Sequence, residues 1–94
     1  MLQFKYEEVA LGDLSAKALR QEAQGAAGAK SYRITVFDEA GAPEPEPAEA
    51  VLLEGKVGFA WGPDVFWAVS GGNIYEDVNI WLNDEEEWEG RELP

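Results

Sequence analysis

The sequence predicts an α+β fold: a small single domain over residues 1–94, with an antiparallel or mixed sheet of about four strands and about two helices. Three observations predict it. Polar and apolar residues alternate in "LQFKYEEV" and "SYRITVFD", the period of strands in a sheet. Between them, "GDLSAKALRQEAQGAAGA" is rich in alanine and other helix formers. Further on, "NIYEDVNIWL" spaces Ile74, Val78, Trp81 and Leu82 along one helical face. With 46% hydrophobic residues in 94, the chain can fill one modest core, well beyond the reach of a disordered acidic chain.

The first strand should place Leu2, Phe4 and Tyr6 on one face and Gln3, Lys5 and Glu7 on the other. In the helix that follows, Asp13 or Ser15 is positioned to accept a bond from the free N–H groups of the first turn. Gly25 and Gly28 are placed to end it. "SYRITVFD" sets Tyr32, Ile34 and Val36 against Thr35 and Phe37; both faces are fairly apolar, which favours a covered, central strand. The prolines of "EAGAPEPEPAE" remove backbone donors. Residues Glu39–Glu49 are therefore expected to form an acidic, proline-rich loop, the most mobile interior segment.

"AVLLEGKVGFAW" and "VFWAVS" flank "GPD", where Pro63 suits the second position of a type I turn. A short helix from Pro63 is the alternative, but Val65, Phe66, Trp67 and Val69 are β-formers and favour a hairpin. Asn73 followed by Glu76 resembles a capping box. Strand alternation also fits Val78, Ile80 and Leu82, yet the cap favours helix. Continued helix beyond Asn83 would bring Glu85 into the apolar sector, so core contact is expected to stop near Leu82. The acidic segment 84–94 should then project from the domain.

Several chemistries are excluded by composition. With no cysteine and no histidine, disulfides, Cys/His zinc sites, thiol nucleophiles and Ser-His-Asp triads are absent. "GAAGAKS" places Lys30 and Ser31 like a phosphate-binding loop, but Ala29 and Gln24 stand where that motif needs glycine. "NDEEEWEG" has consecutive rather than spaced acids, unlike an EF-hand loop. A carboxylate pair for glycoside hydrolysis needs a deep cleft that so short a chain can hardly enclose. No enzyme activity, cofactor or metal is expected. An N-terminal stretch with Glu7 and Glu8, and the lack of an apolar run of spanning length, lead to the expectation of a cytoplasmic protein with no membrane association.

The strongest remaining signal is acid. The formal net charge is -12, and it is polarised: through Arg33 five bases face four acids, whereas beyond it only Lys56 and Arg91 oppose fifteen. Trp61, Phe66 and Trp67 resemble a stacking platform for bases, but single-strand binders pair stacking with a positive groove. Direct nucleic-acid binding is therefore not expected. Closely spaced carboxylates instead approximate duplex DNA, which carries roughly one negative charge per 1.7 Å. Glu76, Asp77, Asp84, Glu85, Glu86, Glu87 and Glu89, with Trp88 as an apolar anchor beside Tyr75 and Ile80, are the candidate partner-binding residues.

In size, charge and lack of catalytic residues the chain resembles small acidic DNA mimics, a group that includes phage anti-restriction and anti-CRISPR inhibitors. The resemblance is one of composition. It implies an inhibitor, monomeric or homodimeric, that occupies the basic groove of a nucleic-acid-binding protein or complex. An immunity protein or antitoxin against a basic toxin or nuclease would use the same electrostatics. A structural or assembly subunit with an acidic surface is the third class, and a purely solubilising charge is the plain alternative.

Overall fold

The computed structural model describes residues 1–94. Its sheet is a simple meander of β1 (Gln3–Val9), β2 (Lys30–Phe37), β3 (Ala48–Leu53), β4 (Lys56–Trp61) and β5 (Asp64–Val69), each antiparallel to the next. Three helices complete it: α1 (Lys17–Gln24), α2 (Ile74–Asn83) and α3 (Glu85–Arg91). The α+β class stands, with one strand more than expected. The extra strand comes from "AVLLEGKVGFAW", which folds back on itself: Leu53 pairs with Lys56, and Gly55 at φ 78° closes the turn. Glycine reaches that left-handed region at little cost.

The hairpin at Pro63 is present, but its turn differs from the expected type I. Trp61 pairs with Asp64, so Gly62 and Pro63 form a two-residue loop, with φ at Gly62 of 59°. A positive first φ followed by proline's fixed negative one is the signature of a type II′ turn, whose twist suits two-residue hairpins.

Both faces of the sheet are covered. On one, Tyr32, Ile34, Val36, Ala50, Val57 and Phe59 pack beneath Ile74, Val78 and Trp88 of α2 and α3. Phe59 is fully buried, and the Trp81 ring lies flat on it at 4.4 Å and 4°. On the other face, Leu14, Leu19 and Ala23 pack on Val51, Leu53 and Ala60. β3 is therefore buried on both sides, as its near-continuous apolar run requires.

The start of α1 departs from expectation. Asp13 lies in a short 3-10 turn, Leu11–Asp13, and neither it nor Ser15 caps the helix; the N-cap is Ala16, which has no side-chain acceptor. Glu49 of β3 supplies the acceptors instead, its carboxylate taking the Ser15 N–H at 2.9 Å and the Ala16 N–H at 2.8 Å. Ala48 and Glu49 thus belong to β3 rather than to the proline-rich loop, and Glu49 is buried. The loop itself is fastened by a Phe37–Pro43 bridge and by the Trp61 Nε1–H donating to the Glu46 carbonyl at 3.0 Å. No helix is long and apolar enough to cross a membrane.

Candidate interaction surface

The Asn73 side chain accepts the Glu76 N–H at 3.1 Å, so α2 begins where the capping-box spacing predicts. It ends at Asp84, which closes α2 and opens α3 by accepting the Glu87 N–H at 3.1 Å. One residue thereby breaks the helical phase. A continuous helix would have carried Glu85 inward, whereas the break leaves it exposed while Trp88 still packs into the core.

The eight candidate residues divide accordingly. Glu76, Asp84, Glu85, Glu86, Glu87 and Glu89 are exposed, and Glu92 joins them. Asp77 and Trp88, expected to face a partner, are turned inward instead. Trp88 is 7% exposed and lies 5.7 Å from the Phe59 ring, so core contact does not stop at Leu82. Asp77 is 2% exposed and accepts the Ser70 hydroxyl at 2.5 Å and the Gly71 N–H at 3.2 Å, with Arg91 Nη1 3.5 Å away. Burial of a carboxylate is tolerable only with such partners. Sequence spacing gave no sign that Asp77 and Arg91 would meet, because their approach depends on α3 doubling back.

Of the exposed acids, Glu76 stands apart, eight residues of helix and so roughly 12 Å of axial rise from Asp84. The rest form one cluster along α3. Three of them occupy its first turn, where the helix dipole favours negative charge. Arg91 is the one base on this helix; it bonds Glu87 Oε1 at 2.8 Å as well as reaching Asp77. Glu85, Glu86 and Glu89 have no ion-pair partner. The helix is held in place by Trp88, by Arg91, and by the Leu93 N–H donating to the Trp67 carbonyl at 2.9 Å. An anchored, acidic ridge results.

No grouping of acidic side chains converges closely enough to hold a metal ion. A groove of about 710 Å³ lies between α1 and the strands, where Lys56 bridges to Glu22 at 3.3 Å and sits 4.9 Å above the Trp67 ring. One titrating group is displaced: burial, then Glu8, then Tyr6 raise the Tyr32 hydroxyl above the ordinary tyrosine value. Compared with known proteins, the chain matches no protein-family model, no curated sequence and no solved structure.

Proposed function

We propose that this is a non-enzymatic acidic binding protein that inhibits a nucleic-acid-binding protein or complex by occupying its basic groove in place of nucleic acid. The observation that carries the reading is the α3 ridge: Asp84, Glu85, Glu86, Glu89 and Glu92 exposed on a helix anchored from below by Trp88, with Arg91 turned toward Asp77 and Glu87. A helix anchored in this way needs little backbone ordering on binding, which lowers the entropic cost of association. Its carboxylates steer a basic surface from a distance and lose that advantage as salt screens them. The anti-restriction and anti-CRISPR type of inhibitor acts on targets of this chemistry, and an intracellular, cytoplasmic target follows from it.

The test uses the purified chain as immobilised bait for a panel of nucleic-acid-binding proteins with basic grooves. A target should be retained at low salt, released as salt rises, and displaced by added duplex DNA. The chain itself should shift neither duplex nor single-stranded DNA in a gel. Retention that duplex DNA does not disturb, or direct binding of DNA by the chain, overturns the proposal.

A further inference from the structure

The two edges of the sheet differ. At β5 the C-terminal half of the edge is occupied: Ala68 bridges to Glu92, and the Trp67 carbonyl accepts the Leu93 N–H. At β1 it is open except at one end, where Asn83 takes both outward groups of Leu2. Its Oδ1 accepts the Leu2 N–H at 2.7 Å and its Nδ2 donates to the Leu2 carbonyl at 3.1 Å.

Which groups of β1 face outward follows from the antiparallel alternation. Val36 and Asp38 direct their backbone groups to the loop after β2, through Glu44 N–H to Val36 O and Asp38 N–H to Ala42 O, both at 2.8 Å. Phe37 must then face β1, where it pairs with Gln3. Since the β1–β2 register runs unbroken from Gln3 to Val9, Gln3, Lys5, Glu7 and Val9 bond to β2. Leu2, Phe4, Tyr6 and Glu8 point away from it. With Leu2 satisfied by Asn83, the unpaired set is Phe4, Tyr6 and Glu8, centred on Tyr6.

We infer that two copies of this chain join edge to edge through β1, antiparallel about a two-fold axis at Tyr6, to make one continuous sheet. In that register Tyr6 pairs with Tyr6 of the second copy and Phe4 pairs with its Glu8, each pair exchanging two backbone bonds, so every free group of the edge is satisfied. The neighbouring pairs set Lys5 opposite the second copy's Glu7, twice. These are non-hydrogen-bonded pairs, in which side chains stand closest. Sliding the register by two residues in either direction places Lys5 on Lys5 or Glu7 on Glu7 and leaves backbone groups unpaired.

Neither Lys5 nor Glu7 has an ion pair within its own chain. Arg33, across from Glu7 on β2, donates to the Asp13 carbonyl at 3.0 Å. Beside the edge, Tyr6 and Tyr75 are 42% and 55% exposed, and Tyr75 lies 5.2 Å from Phe4. The meeting edge also belongs to the less acidic part of the chain, since the five bases through Arg33 outnumber the acids there. Because the contact is two-fold it consumes the β1 edge of both copies, which makes the assembly a closed dimer, and the Ala68–Glu92 bridge shortens the free run of the other edge. The inference is independent of the proposed function.

Sedimentation velocity on the full chain tests it, with charge reversal as the probe. The parent should sediment as a dimer. Lys5→Glu and Glu7→Lys each turn both attractive contacts into repulsive ones and should weaken dimerisation by roughly tenfold or more. Mixed in equal amounts, these two variants should form a heterodimer, because each supplies the charge the other lacks. Hydrogen exchange on the parent provides a readout that needs no variant: the Phe4, Tyr6 and Glu8 amides gain protection as protein concentration rises, while those of Lys5 and Glu7 are protected throughout. A parent that stays monomeric, a dimer indifferent to both reversals, or protection that develops away from β1 overturns the inference.

Discussion

Glu49, in the middle of the sheet, fastens the start of α1 by accepting the Ala16 N–H at 2.8 Å. The helix carries no cap of its own, so a charge-assisted bond from β3 does the work usually done by a neighbouring side chain. Glu49→Ala should lower stability by about 2–3 kcal/mol, and Glu49→Gln, which keeps one acceptor oxygen, by about 1 kcal/mol. Urea unfolding of the three proteins checks the ranking.

Gly58 and Trp67 face each other across β4 and β5, and a Cβ at Gly58 would meet the indole ring at 2.5 Å. Gly58→Ala should therefore cost about 1–3 kcal/mol as the ring is pushed off its place beneath Lys56. In a Trp67→Ala background the same change should cost much less, a coupling that a double-mutant cycle in urea measures directly.

Trp88 belongs to the core by position, although it lies within a run of acids. Trp88→Ala should cost about 3–5 kcal/mol, whereas Glu89→Gln beside it should change stability by no more than about 0.5 kcal/mol. Thermal unfolding separates the two. Equal, small effects would mean that Trp88 is not buried.

The Tyr32 hydroxyl is raised above the ordinary value of 10.0, chiefly by burial and then by Glu8 and Tyr6. A raised value in the folded state means that folding favours the neutral phenol, so its contribution is fully present below pH 10.0 and is lost as pH rises through the folded value. Alkaline unfolding should follow tyrosinate absorbance, and Tyr32→Phe should flatten the decline of stability over that window.

Strong local signals made much of the fold legible. Alternation in "SYRITVFD" located β2, and Asn73 with Glu76 located the start of α2. What escaped were features decided by distant partners. Glu49 looked like one more acid of a proline-rich loop, although its alternation with Ala48 and Ala50 carried a faint strand signal. The turn at Gly55 was hidden inside an apolar run. Asp84 was read as part of an acidic tail, but it is a cap shared by two helices, and the break there takes Glu85 out of the apolar sector while Trp88 packs inward on Phe59. The exposed acids of the ridge were legible because charge alone sends them to the surface; the inward turn of Asp77 was not, because Ser70 and Arg91 determine it.

The most direct measurement of the proposed inhibitor function compares the parent with a Glu85→Gln, Glu86→Gln, Glu89→Gln variant in association with a captured nucleic-acid-binding protein. The substitutions keep side-chain size and spare both the Asp84 cap and the Glu87–Arg91 bond. Association should slow by roughly tenfold at low salt, the salt dependence should flatten, and duplex DNA should compete with the parent for the same site. A variant that associates as fast as the parent at low salt, with no competition from DNA, would show that the ridge only keeps the protein in solution.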